Sequence, residues 1–156
     1  MKIYQLRRTQ FLPISQKEAW EFFSSPKNLA IITPARMNFK IISITGGDKM
    51  YSGQEIKYKV SVLPLVRIGW ITKISDVVEP DYFIDTQLAG PYSLWNHKHI
   101  FKPVEGGVEM IDELDYAVPL GVLGRLANWM FVGQQVTGIF EYRNKVLKTH
   151  FRNKNH

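Results

Sequence analysis

The residues best suited to chemistry are His97, His99 and Asp112. An imidazole beside a carboxylate can anchor a polar ligand, move a proton or help to hold a metal. His97 and His99 are two positions apart, so on a strand both rings project from one face. Pairing the run that begins at Leu94 with the run that ends at Val118, about a turn at Glu105-Gly106, sets Val104 opposite Gly107. A two-residue turn and a four-residue loop give the same register beyond that point. Phe101 then faces Met110, His99 faces Asp112, His97 faces Leu114 and Trp95 faces Tyr116. This surface is mostly apolar and reads as inward. Lys98, Lys102, Glu109, Glu113 and Asp115 share the other face and read as solvated, with Ile100 and Ile111 as exceptions.

An inward carboxylate needs a partner, because an unpaired one in apolar surroundings costs several kcal/mol or becomes protonated. His99 is the nearest candidate for Asp112. The pair has three readings: a hydrogen bond that fixes the hairpin, a polar anchor for a ligand, or a general acid/base. A neighbouring carboxylate raises an imidazole pKa while desolvation lowers it, so the sequence leaves the charge of His99 open. His97 has no opposed acid and reads as a pocket-wall donor or a satisfied core histidine.

Tyr58, Val60, Trp70, Thr72, Phe83, Trp95, Leu114, Tyr116 and Met130 complete a candidate ligand wall, bulky with a few donors, as a pocket of roughly 300–1,000 Å³ would need. Core packing also accounts for each of them. Phe83, Asp85 and Gln87 share a strand face, and if it is internal the two polar groups add polarity to the cavity. His97, His99 and Asp112 are a conceivable zinc set, set aside because Trp, Phe, Met and Leu around them suit an organic ligand better. No metal or cofactor is expected. P-loop, GxGxxG, HExxH and GxSxG patterns do not occur.

The elements that must carry these residues follow from periodicity. Lys2 to Leu12 is extended and stops at Pro13, which has no amide to donate. Ser15 and Glu18 form a capping box that opens a short helix with Ala19, Phe22 and Phe23 on one face. Ser25-Pro26 opens a second short helix that ends before Pro34. From Phe39 to Val118 the period is two, punctuated at Gly46-Gly47-Asp48, Ser52-Gly53, Pro64, Pro80-Asp81, Gly90-Pro91 and Gly106-Gly107. The connections are too short for parallel crossovers, so about six strands form an antiparallel meander with the first. After Pro119 the residues Leu123, Leu126, Met130, Gly133, Val136, Phe140, Leu147 and Phe151 trace one stripe, predicting a single long helix able to cross the sheet.

Composition narrows the function classes. The 156 residues, 45% hydrophobic and 22% charged, suit one domain over residues 1–156. The absence of Cys excludes disulfides, thiolate metal sites and cysteine nucleophiles. The most apolar stretches, such as Val60 to Val66, fall far short of the roughly 20 residues of a membrane span. The N-terminal stretch is too polar for a secretory signal, so a cytoplasmic location is expected. The net charge is +6. Arg143, Lys145, Lys148, Arg152 and Lys154 fall where a helix ends, and cations are favoured there by its dipole. Only Phe151 lies among them, so no nucleic-acid partner is expected. That basic end permits a weak contact with an anionic membrane surface or a partner protein, whose identity the sequence leaves open.

The order strand, two short helices, antiparallel meander and long terminal helix resembles the helix-grip fold of the START-like (SRPBCC) superfamily. Phe23-Ser24-Ser25-Pro26, Asn28-Leu29, Ile32-Thr33-Pro34, Gly90-Pro91-Tyr92, Trp95, His97, His99 and Phe101 carry the likeness. So do Met110, Asp112, Tyr116, Pro119, Gly121, Leu123-Gly124, Phe140, Tyr142-Arg143 and Leu147. Together they resemble the bacterial ligand-binding group described as polyketide cyclase/dehydrase, lipid-transport or cell-division-inhibitor-like. The resemblance implies an α+β fold, with a curved sheet of about seven strands gripping the C-terminal helix around an apolar cavity. It also implies binding of a hydrophobic or amphipathic small molecule that is lipid, sterol-like or polyketide-like. The alternative is a cyclase or dehydratase-type enzyme with His99 as acid/base and Asp112 orienting it. Fold alone does not choose between them.

Overall fold

A computed structural model describes residues 1–63 and 65–154. The predicted break at Pro64 lies outside the described residues, as do the side chains of Leu63, Asn153 and Lys154. Seven strands make one antiparallel sheet: β1 (Tyr4–Leu12), β2 (Lys40–Ile44), β3 (Glu55–Leu63), β4 (Val66–Val78), β5 (Tyr82–Ala89), β6 (Leu94–Val104) and β7 (Gly107–Ala117). Their order across the sheet is β1-β7-β6-β5-β4-β3-β2, so every neighbour but β1 is joined by a direct connection. The expected meander and strand number hold. The β6–β7 register also holds residue for residue, with Trp95 opposite Tyr116, His97 opposite Leu114, His99 opposite Asp112 and Phe101 opposite Met110. Alternating apolar residues left only one register that buries them all, because a slip of one position would send His99 and Phe101 to solvent.

Helix α1 (Gln16–Phe23) starts where the cap predicts: Ser15 Oγ accepts the Glu18 amide at 3.1 Å. Its Trp20 and Phe23 pack on Phe83 and Phe101 with ring centroids 5.4–5.9 Å apart. Two 3₁₀ turns follow, Pro26–Ala30 and Ala35–Met37, the second of which periodicity did not predict. The turn is too short to leave a helical repeat.

The C-terminal helix corrects the expectation of one stripe. It runs as α2 (Gly121–Ala127), a π-helical segment (Asn128–Val132) and α3 (Gly133–Lys154). From Val136 onward the expected stripe is buried, with Val136, Phe140, Leu147 and Phe151 each at 2% exposure or less. Before it, Leu123, Leu126 and Met130 point outward and Gly124 is buried instead. A Cβ on Gly124 would overlap the Pro119 carbonyl, so α2 folds back closely on the Val118-Pro119 link that leads into it. A widened π turn shifts the inward face relative to a uniform helix, and Asn128 rather than Met130 meets the sheet, accepting the Tyr116 hydroxyl at 2.9 Å.

Three apolar clusters flank the helix. The largest joins α1, β6, β7 and the end of α3 through Trp20, Phe101, Met110 and Phe151; a second joins Leu114, Tyr116, Val136 and Phe140; a third holds Met37, Val60 and Trp70. This is the helix-grip arrangement, with the space between the clusters left to the site.

The start of β7 supplies a test of how closely β1 approaches it. A Cβ on Gly107 would overlap the Leu12 backbone carbonyl of β1, whereas one on Gly69 meets nothing within 4 Å. Gly107→Ala is expected to destabilise by about 1–3 kcal/mol, as overpacking against rigid backbone does, while Gly69→Ala is neutral or mildly stabilising. Urea midpoints of the two variants check this, and equal midpoints would contradict the close β1–β7 approach.

Candidate functional site

Five polar side chains from four elements converge beneath α3: Asp85 on β5, His97 and His99 on β6, Asp112 on β7 and Arg143 on α3. His97, His99, Asp112 and Arg143 are buried, and Asp85 is nearly so, its side chain 16% exposed. The partners are not those that strand opposition predicts. His97 Nε2 lies 2.8 Å from Asp112 Oδ1, and His99 Nε2 lies 2.5 Å from Asp85 Oδ2. The directly opposed atoms are farther apart, His99 Nδ1 to Asp112 at 3.6 Å and His97 Nδ1 to Asp85 at 3.8 Å. Both short contacts are diagonal across the ladder, a reach that long side chains have and that strand twist favours on one diagonal. His97 therefore has the acid that the sequence denied it, and His99 exchanges its expected partner for Asp85.

Arg143 is the member that sequence reasoning misplaced. Read as a cation at a helix end, it instead points into the fold, with Nη2 3.7 Å from Asp112 Oδ1 and 3.5 Å from His99 Nδ1. Its guanidinium lies 5.5 Å from the Phe23 ring centre and 5.8 Å from that of Phe140, where a cation meets the negative faces of the rings. The spacing Val136, Phe140, Arg143, Leu147 was the available signal: position 143 falls on the buried stripe.

These contacts set the electrostatics. Burial pushes the Asp112 carboxyl up, but Arg143, the His97 hydrogen bond and both imidazoles outweigh it, leaving Asp112 well below the usual carboxylate range. Asp85 is likewise held below its ordinary value: burial opposes ionisation, and the His99 hydrogen bond with the charges around it overcomes that. His99 goes the other way. Burial and the adjacent His97 lower it to about 4, against a smaller upward pull from Asp85. A neutral His99 with Nε2–H donated to Asp85 leaves Nδ1 as an acceptor facing Arg143 Nη2. Ring contacts hold the imidazoles in place: His99 stacks on Phe83 at 4.2 Å and lies 3.7 Å from the His97 ring.

The cluster borders a hollow of about 150 Å³ between sheet, helix and 3₁₀ turns. This is smaller than the expected pocket, because the Arg143 and histidine side chains occupy one end of the space. Tyr58, Val60, Trp70, Thr72, Phe83, Asp85, Trp95, His97 and His99 line it, joined by Phe23, Met37, Ile139, Phe140 and Arg143. The Tyr58 hydroxyl is spent on Thr72 at 3.2 Å, while Trp70 Nε1 and Arg143 Nε have no hydrogen-bond partner among the described residues. Four predicted wall residues stand elsewhere. Asp112 lies behind the histidines, Leu114 and Tyr116 pack in the second cluster, and Met130 is 46% exposed on the outer side of the helix. Gln87 closes the β5–β6 turn on the Tyr92 backbone and adds nothing to the hollow.

Asp85, His97 and His99 place ligand atoms within 4.8 Å of one another, the set that could hold a cation. Arg143 already brings a positive charge to that end, which opposes a second one.

No family model matches the chain, and no curated protein matches it in sequence. Solved structures do. An aromatase/cyclase (Zhui) from Streptomyces sp. R1128 aligns over 99% of this chain and 97% of its own, with a TM-score of 0.76 and 12% identity. A START superfamily protein from Mycobacterium smegmatis aligns over 96% and 97%, at 0.70 and 13%. The major latex-like protein 151 of Panax ginseng aligns over 96% and 97%, at 0.65 and 12%. The chain thus shares the helix-grip fold of these structures.

The depressed His99 pKa makes stability pH-dependent. Unfolded, the imidazole takes up a proton below about pH 6.5, and folded it does so only near pH 4. Stability is therefore fully present above about pH 6.5 and falls as the pH is lowered toward 4, by roughly 2–3 kcal/mol at the lower edge. Protonation of Asp85 and Asp112 extends the loss below that. Urea unfolding at pH 7 and pH 5 measures it, and His99→Gln should flatten the difference. An unchanged slope in that variant would refute the assignment.

Proposed function

We propose that the protein binds or carries a small hydrophobic or amphipathic molecule in the hollow between sheet and C-terminal helix. The observation that carries this reading is the hollow itself, apolar along most of its wall, with the ionisable groups Asp85, His97, His99 and Arg143 gathered together on it. Apolar contact supplies affinity at about 25 cal/mol per Å² removed from water. A few fixed polar groups at one end supply orientation, the usual division of labour in such sites. The fold is one in which a START superfamily protein is found, which is consistent with a lipid, sterol-like or polyketide-like ligand. At about 150 Å³ the space suits a one- or two-ring compound as it stands, and longer ligands need the helix or the 3₁₀ turns to move.

The acid/base alternative has its own support, since two imidazoles and a carboxylate border the hollow and one neighbour of the same fold is an aromatase/cyclase. It is the weaker reading because both His99 nitrogens already face partners, Asp85 and Arg143. A neutral imidazole with both positions engaged is a poor proton shuttle at pH 7.

Titration with 2-naphthol, an apolar bicycle with one hydroxyl, tests the binding reading. Emission of Trp70 and Trp95 should be quenched saturably. Val60→Phe, which extends a ring into the hollow, should weaken binding by about tenfold or more while the circular dichroism stays unchanged. Equal affinity in the two proteins would place the ligand outside the hollow. Turnover of a polyketide-type substrate that disappears in His99→Ala with binding retained would favour the enzyme instead.

A further inference from the structure

The outward face of α2 and the π-helical segment belongs to no core. Leu123, Leu126, Trp129 and Phe131 are all more than half exposed, with Trp129 at 78%. The antiparallel order brings more apolar surface to the same end of the sheet: β3 ends there and β4 begins there, at a tip where Leu65 is fully exposed and Val66 less than half so. Gln135 Nε2 donates to the Val62 carbonyl at 2.6 Å, tying the first turn of α3 to that tip. Most of the exposed large apolar side chains of the described residues gather at this end, a concentration that a water-facing surface rarely carries.

Charge identifies what covers it. No Asp or Glu occurs between Asp115 and Glu141, or between Glu55 and Asp76, whereas these stretches hold Lys59, Arg67 and Arg125. Asp115, the last acid before α2 in the sequence, is bonded to Gln5 at 3.0 Å. A second copy of the chain would set cations against cations with no acid to answer them. Aromatic and aliphatic side chains with the exposed cations Arg67 and Arg125 among them and no acid in either stretch match the boundary of an anionic bilayer, where rings sit among headgroups and basic residues meet lipid phosphates. We propose that this end of the molecule, α2 with the π-helical segment and the β3–β4 tip, docks on an anionic lipid surface. The site differs from the basic end of α3 at Lys148 and Arg152 and is independent of what occupies the hollow.

Full-length protein is sedimented with phosphatidylcholine vesicles, with and without phosphatidylglycerol, while tryptophan emission is followed. Trp20 and Trp70 are buried and Trp95 half-buried, so a blue shift reports chiefly on Trp129. Binding is expected only with the anionic lipid, with a blue shift, and should weaken as salt is raised. The double variant Trp129→Ser/Phe131→Ser should lower partitioning by about tenfold or more, and Arg67→Glu/Arg125→Glu by a similar factor. Lys148→Glu/Arg152→Glu should change it by less than about twofold. All these side chains are exposed, and unchanged circular dichroism excludes misfolding. Absence of binding to anionic vesicles overturns the proposal. So does binding that survives loss of Trp129 and Phe131, or that fails only when Lys148 and Arg152 are reversed. A concentration-dependent dimer broken by Trp129→Ser/Phe131→Ser, with no lipid binding, overturns it in favour of self-association.

Discussion

Two carboxylates beneath an apolar sheet face constrain everything above them. Asp85 and Asp112 stay ionised away from water only because imidazoles and a guanidinium reach them from two further elements. Removing one partner from such a set leaves a buried charge uncompensated, typically at 3–5 kcal/mol. The cluster consequently fixes more than its own geometry. It sets how β5, β6 and β7 lie relative to one another and where α3 crosses them, since Arg143 reaches Asp112 only when the helix is rotated to bury Phe140 and Leu147 as well.

That rotation also shapes the hollow. With Phe140 and Arg143 turned inward, the space between helix and sheet is closed by side chains at the charged end and left open where Val60, Trp70 and Trp95 face Ile139. A fully packed interior would bury more apolar contact. The Trp70 indole N–H, buried without a partner among the described residues, belongs to the same unfilled region. The π-helical segment has a complementary role: it lets Asn128 accept the Tyr116 hydroxyl while Trp129 and Phe131 turn outward. One irregularity in the helix thus separates a half that grips the sheet from a half that faces away from it.

Several parts of this were legible from residue order. Alternation of polar and apolar residues from Leu94 to Val118 has one register that hides Trp95, Phe101 and Met110 together, and the strands adopt it. The Ser15 cap and the turn at Glu105-Gly106 are local chemistry, set by a hydroxyl within reach of an amide and a glycine at positive φ. Other parts were not legible. Opposition across a ladder names neighbouring Cα atoms, but the short contacts run along the diagonal, so His97 and His99 each took an unexpected acid. Met130 failed as a wall residue because a period of 3.6 was carried through a π turn that obeys a different one.

Sequence by itself determined the order of elements, the strand count, the hairpin register and the inward face that holds both histidines, because these follow from periodicity and from the cost of exposing apolar side chains; the helix-grip class rested on resemblance. Tertiary structure alone decided that Arg143 belongs with Asp112 and His99, that Asp85 completes the cluster, and that a hollow of about 150 Å³ remains beside them. The reason is distance along the chain: residues from four elements meet only after the sheet has twisted and the helix has settled on it, and no local pattern encodes which side chains then come within hydrogen-bonding reach.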